Sequence, residues 1–261
     1  MDLGAPIGII IALVAMVIGM ILLGANVMTY LDLPSTMLVV VPTFAALFIG
    51  FPTSQMLSTV KHVPIILGLR KFDPIYYVNL MTELAEKARA QGLLVLESEA
   101  DAIDDPFVKT AVLMVADATE TEMIEDRLFG VLDSMTIRHS QAWAIYDRGA
   151  AFAPAFGMCA TIVALVHMLL NLDLTDAGGA DTLGISMSAA LITTLYGSVL
   201  ANVFFVPLGN KLRLRHQKEI DCKKIAIDGI LAIQRGTNPR IVKEMLVERL
   251  DPKIAGAMME N

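Results

Sequence analysis

The sequence predicts an all-α membrane protein: four transmembrane helices in two hairpins, a helical cytoplasmic insert between spans 2 and 3, and a helical cytoplasmic tail. Three observations predict it. The 261 residues are 55% hydrophobic and only 18% charged, whereas soluble domains carry about a quarter charged residues. The apolar residues gather into four runs, each long enough to cross a bilayer core. All 20 Lys and Arg fall within 61–148 or 211–261, which places both segments, and both termini, on the cytoplasmic side by the positive-inside rule. A net charge of −7 argues against a nucleic-acid partner.

The first hairpin occupies 1–60. Leu3–Leu31 holds no charge and centres on IGIIIALVAMVIGMILLG. It has no basic flank and is too long for the apolar core of a signal peptide, so it reads as a span that is kept. Asp32 and Pro34 close a short turn. Leu33–Val60 is again uncharged, and Pro42 is expected to bend it.

The insert, 61–148, is charged and helix-patterned. Asp73-Pro74 opens a helix that stops at Gly92. LLVLESEA is a short helix, and Pro106 starts another. Glu120–Asp147 reads as one long amphipathic helix running on towards span 3, with Met123, Leu128, Val131 and Leu132 on its apolar side.

The second hairpin, 149–210, contains AAFAPAFGMCATIVALVHMLLNL and LGISMSAALITTLYGSVLANVFFVPLGN, joined by the acidic connection Asp173–Asp181. The tail, 211–261, opens on KLRLRHQKE, an amphipathic basic stretch suited to a membrane surface. A helix through DCKKIAIDGILAIQ, the turn RGTNPR and a last helix IVKEMLVERL follow. No strand pattern occurs.

No Asp, Glu, Lys or Arg lies inside any span, so a chain of this kind moves cations only if a partner supplies an intramembrane acid. His167 is the one titratable side chain within a span and reads as a packing or interfacial histidine. Thr161 lies two turns after Pro154, and Thr193 and Thr194 sit near mid-depth of span 4. Membrane threonines commonly return a hydrogen bond to the preceding turn; alternatively these hydroxyls offer oxygen ligands to a hard cation such as Na⁺. Small residues nearby allow close helix approach. Pro154 and Pro207 are either kinks or hinges towards the cytoplasmic insert. Arg89 and Glu97 flank the Gly92 break, as a solvated corner or as an electrostatic docking patch. Cys159 and Cys222 are expected to stay unpaired, and no metal spacing, phosphate loop or catalytic motif occurs, so no cofactor and no enzymatic activity are expected.

Four stretches carry a family resemblance. ARAQGLLVLE (88–97) resembles the cytoplasmic signature of the MotA/PomA family, the A subunit of the flagellar motor stator. APAFGMCAT (153–161) resembles its third-span motif, SMSAALITTLYGSVLANVFFVPLGNKL (186–212) its fourth span, and DGILAIQRGTNPR (228–240) its C-terminal signature. The resemblance implies a subunit of the bacterial inner membrane, five copies of which surround two B subunits. Each B subunit has a single span with an essential aspartate and a peptidoglycan-binding domain. Ion flow past that aspartate turns the A ring, whose insert pushes the rotor's switch complex. By motif position, Arg89 and Glu97 become rotor contacts, Pro154 and Pro207 coupling prolines, and Thr161, Thr193 and Thr194 an ion path of the sodium-driven type. Two positions depart from the pattern: Pro34 stands where sodium-type relatives often have threonine, and Ala151 where some relatives have aspartate. The hydroxyls favour Na⁺ over H⁺, since a proton needs no oxygen cage. The competing expectations are a TolQ/ExbB-type energy transducer, whose relatives place the large insert after the first of three spans, and a non-conducting scaffold.

Overall fold

The structure, a computed structural model, describes residues 4–67, 72–171 and 179–259. Residues 173–178 of the acidic connection lie outside that set, as do Arg70 and Lys71 at the start of the insert. The described residues are helical with no strand. Among the described residues, four helical segments are long and apolar enough to cross a membrane: Gly4–Leu22, Val27–Gly50, the Thr121–Leu170 helix and Leu183–Gln234. The chain divides into two compact units, residues 1–70 with 140–215 and residues 71–139 with 216–261.

In the first unit, α1 (Gly4–Leu22) has no buried residue, so its apolar surface is left to lipid or a neighbour. Asp32 caps α2 (Leu33–Gly50), accepting from the Ser35 amide at 2.8 Å, with Pro34 in the first turn where a missing N–H costs nothing. The buried positions of α2, Ser35, Val39, Thr43 and Leu47, recur every four residues. They make the stripe that packs on α9 (Gly179–Val199).

Span 2 ends ten residues before the uncharged run does. Pro52 forces its predecessor out of the α region, and Phe51 is extended at φ −128°, ψ 144°. The rest of the uncharged run folds into the short helix α3 (Thr53–Ser58), and α4 (His62–Ile66) follows it. His62 is buried and its Nδ1 lies 3.2 Å from the Tyr146 hydroxyl.

In the second unit, α5 (Pro74–Gln91) begins where Asp73 accepts from the Ile75 amide and ends at Gly92, φ +86°. The short α6 (Val95–Ala100) and α7 (Pro106–Ala116), capped by Asp105, follow. Met81, Leu84, Leu96, Val112 and Ile227 are core members with at most 2% exposure. Gly229 belongs to this core for a steric reason: a Cβ there would meet Met81 Cγ at 2.5 Å.

One helix runs on into span 3, as expected, and another is longer than expected. α8 runs unbroken from Thr121 to Leu170. Within the second unit it buries Ile124, Leu128, Leu132 and Met135, while Met123 is 59% and Val131 44% exposed. The buried side therefore differs from the expected one: Leu128 and Leu132 belong to it, while Met123 and Val131 fall on a neighbouring face. α9 passes through a π-helical segment, Leu200–Phe205, into α10 (Val206–Gln234). The basic stretch Lys211–Glu219 is thus part of a continuous helix rather than a separate element. α11 (Pro239–Val247), capped by Asn238, packs on α5. A last helix, α12 (Pro252–Met259), was not expected.

Candidate functional site

The second hairpin is built on small residues set four apart. On α8 these are Gly149, Ala153 and Gly157; on α9 and beyond, Gly197 and Ala201, followed by Phe205 and Gly209. All are buried. The chains run antiparallel, so each step along one helix meets the step back along the other. A Cβ on Gly157 would lie 3.1 Å from the Thr193 carbonyl oxygen, and one on Gly197 would lie 2.6 Å from the Ala153 carbonyl oxygen. The Phe205 ring fills the space above Gly149, and Gly209 abuts Tyr146 Cβ. This is small-residue packing of membrane helices, backbone against backbone.

The close approach brings the three expected threonines together. Thr161 Oγ1 lies 3.0 Å from Thr193 Oγ1 and 2.7 Å from Thr194 Oγ1. It also lies 3.0 Å from the carbonyl oxygens of Gly157 and Ala190. Thr193 Oγ1 donates to the Ala190 carbonyl at 2.7 Å. The hydroxyls bond back to their own helices, as the first reading expects, and also to each other across the pair. Three hydroxyl protons are shared among five oxygens, which leaves lone pairs for a positive ligand. Thr193 is 1% exposed and Thr194 is exposed, so the cluster opens on the Thr194 side.

Pro154 lies inside α8, two turns from Thr161 on the same helix. Pro207 lies in the first turn of α10, directly after the π segment. There Val206 N–H bonds to the Ala201 carbonyl, five residues back, and the Asn202 side-chain amide covers the Ser198 carbonyl at 3.0 Å. The π segment was not foreseen, and no residue propensity announces it. Tyr196 was also missed. Its hydroxyl donates to the Tyr30 carbonyl and accepts from the Asp32 amide at 3.1 Å, fastening span 4 to the first turn. At the far end of the pair, Arg213 bonds the Asp147 carboxylate, reaches Asn210 Oδ1 at 3.1 Å and stacks 5.9 Å from the Trp143 ring centroid. His167 bonds locally, with Asn171 Nδ2 at 3.2 Å from its Nδ1, and takes no part in the threonine cluster.

In the second unit, Arg89 and Glu97 are both exposed. They are not brought into an ion pair with each other. Lys87 instead bridges Glu83 and Glu99, each at 2.8 Å, and its ammonium is held above the usual lysine range by those two carboxylates. Arg89 borders a cleft of about 210 Å³ that also takes in Gly92, Leu93, Gln234, Gly236 and Thr237. Two stretches far apart in the chain, 88–97 and 228–240, thus converge. Both turn glycines, Gly92 at φ +86° and Gly236 at φ +68°, lie at this cleft, and the left-handed conformation explains why glycine stands at each. Among the described residues no cluster of His, Cys, Asp or Glu could hold a metal ion.

Comparison with known proteins places this architecture. The family model described as the MotA/TolQ/ExbB proton channel family matches residues 99–224. Motility protein A of Borreliella burgdorferi is 37% identical over 257 residues, 97% of this chain and 95% of that protein. Chemotaxis protein PomA of Vibrio alginolyticus is 30% identical over 251 residues, 96% of each. Among solved structures, a chain of the flagellar MotAB stator complex from Bacillus subtilis superposes with a TM-score of 0.88 at 28% identity, covering 97% of both chains. The likeness extends over both hairpins, the insert and the tail, and the chain belongs to the MotA/PomA branch of the MotA/TolQ/ExbB family.

Proposed function

We propose that this chain is the A subunit of an ion-driven flagellar motor stator, multi-pass in a bacterial inner membrane with both termini in the cytoplasm. The observation that carries the reading is the hydroxyl cluster of Thr161, Thr193 and Thr194, set between two spans that hold no carboxylate. Such a wall contributes oxygen atoms but no charge, so the acid that binds the ion comes from another helix. A B subunit with one span, an essential aspartate and a peptidoglycan-binding domain supplies it, and five copies of this chain surround two of B. The B. subtilis relative, solved as a MotAB complex, supports that partnership.

The transported cation is Na⁺ rather than H⁺ in this reading. The Thr161 hydroxyl oxygen lies 2.7–3.0 Å from those of Thr193 and Thr194, hydrogen-bonded across the helix pair. A cation arriving at the exposed Thr194 exchanges part of its hydration shell for those oxygens, and the hydroxyls turn their protons away. Pro154 and Pro207 couple the wall to the insert, and Arg89 and Glu97 meet the rotor's switch complex. The insert follows the second span, which favours a stator over an envelope transducer of the TolQ/ExbB type.

The test is swimming speed of a strain lacking its own A subunit, complemented with this chain and its B subunit, as external Na⁺ is varied at fixed pH. Speed that rises and saturates with Na⁺ is expected. A flat response in swimming cells removes sodium and leaves protons.

A further inference from the structure

His139 and His216 face each other between α8 and α10. Their Nδ1 atoms are 3.0 Å apart, and the rings meet edge to face with centroids at 5.1 Å and planes at 84°. Their places in the chain are specific. His139 is the last residue of the second unit's first segment, and His216 is the first residue of its second segment. The contact therefore ties the two helices together at the level where the chain enters and leaves that unit.

The chemistry of the contact sets a limit on its protonation. A bond between two Nδ1 atoms needs one proton: one ring donates and the other accepts through a lone pair. Two neutral imidazoles meet this condition, and so does one imidazole with one imidazolium. Two imidazolium rings do not, because both nitrogens then carry protons and both rings carry charge.

The surroundings favour the neutral pair. Burial is the largest influence on both rings and pushes both below the usual histidine range. Arg138 on α8 and Lys223 on α10 oppose a charge on His139, and His139 opposes one on His216. Glu219 of α10 favours charge on both, but its carboxylate is engaged by Lys223 at 3.3 Å.

We propose that His139 and His216 form a pH-sensitive clasp between α8 and α10, closed while at least one ring is neutral and released when both are protonated. The sign follows from the depressed affinities. The open state binds more protons than the closed one, so the clasp is fully held above the ordinary histidine value and is lost as pH falls below it. Its consequence for the cell rests on the stator reading: acidification on the side of the second unit loosens the helices that carry torque.

The test uses the purified full-length chain in lipid nanodiscs. Backbone hydrogen exchange at 135–143 and 212–220, corrected for intrinsic rate, is followed from pH 8 to pH 5. Protection is expected to be flat above about pH 6.5 and then to fall about tenfold per pH unit, the slope for one extra proton bound on opening. The double variant His139→Gln, His216→Asn keeps an amide pair and is expected to lose that slope. Side-chain NMR of the wild-type chain, which has four histidines, needs no substitution. Two of them should titrate below the usual range with unequal midpoints. Protection independent of pH in the wild type, a slope that persists in the double variant, or His139 and His216 themselves titrating at the ordinary value would each overturn the clasp. None of these readouts uses a motor, so loss of motility with the exchange slope intact would count against the stator reading alone.

Discussion

Replacing Gly197 by alanine adds one methyl group at the tightest point of the second hairpin. The new Cβ would lie 2.6 Å from the Ala153 carbonyl oxygen, 3.2 Å from its carbon and 3.2 Å from Gly157 Cα. All three are backbone atoms, so no side chain can swing aside. Ordinary contact begins at 3.4 Å, so the two helices must part by roughly 0.8 Å there. The threonine cluster is one turn away. An equal displacement carries the 3.0 Å contact between Thr161 and Thr193 out of hydrogen-bond range and the 2.7 Å contact with Thr194 to its edge. Overpacking of this kind costs about 1–3 kcal/mol, or a fall in Tm of about 3–9 °C at roughly 3 °C per kcal/mol for a chain of this size. The assay is thermal unfolding of the detergent-solubilised chain, paired with swimming of the complemented strain. Gly19→Ala on α1, where a Cβ meets nothing within 4 Å, is the control. Gly197→Ala with wild-type Tm and wild-type speed would show that the close approach is not what holds the site.

Three further outcomes are expected. Thr161→Val keeps the shape and removes the hydroxyl on which the cluster converges; swimming at limiting Na⁺ should fall at least tenfold, about 1.4 kcal/mol in an equilibrium, and an unchanged Na⁺ dependence would dismiss the threonines as ligands. Glu97→Lys reverses an exposed charge, so ion conductance of the complex should persist while stall torque in a tethered-cell assay drops; equal torque would remove the docking role. The Cys222 thiol is fully buried and pushed up to about 12 by desolvation and by Asp221, Asp73 and other nearby carboxylates, so at pH 8 it should resist maleimide in the native chain and react on unfolding; rapid native labelling would contradict the core assignment.

The boundaries that the sequence made legible are those written in local backbone chemistry. Asp73-Pro74, Asp105-Pro106 and Asn238-Pro239 each pair a side-chain cap with a first-turn proline, and Gly92 supplies a positive φ. The end of span 2 at Gly50 is set by Pro52, which holds Phe51 extended while the uncharged run goes on to Val60. Met123 and Val131 are apolar and so read as part of the buried side of α8, but which of two adjacent faces meets the core depends on the rest of the second unit, which periodicity within α8 does not contain. The candidate threonines were named from residue type and depth, yet their convergence depends on the register of Gly157 against Gly197, a relation between two helices. Arg89 beside Thr237 and His139 beside His216 join positions 148 and 77 residues apart, a range at which only tertiary packing speaks.

The π segment has a geometric consequence for span 4. Its buried row, Thr193, Gly197, Ala201, Phe205 and Gly209, advances by four residues at every step. In a regular α-helix a four-residue step overshoots a full turn by about 40°, so such a row would wind roughly 160° around the helix from end to end and leave its partner. Bonds that reach five residues back put more residues into each turn and take up part of that overshoot. Leu200–Phe205 thus acts as a phase correction: it lets one straight seam run from the hydroxyl cluster to the foot of the span, and a single-residue deletion there would shorten the helix less than it would turn Phe205 and Gly209 away from Gly149 and Tyr146.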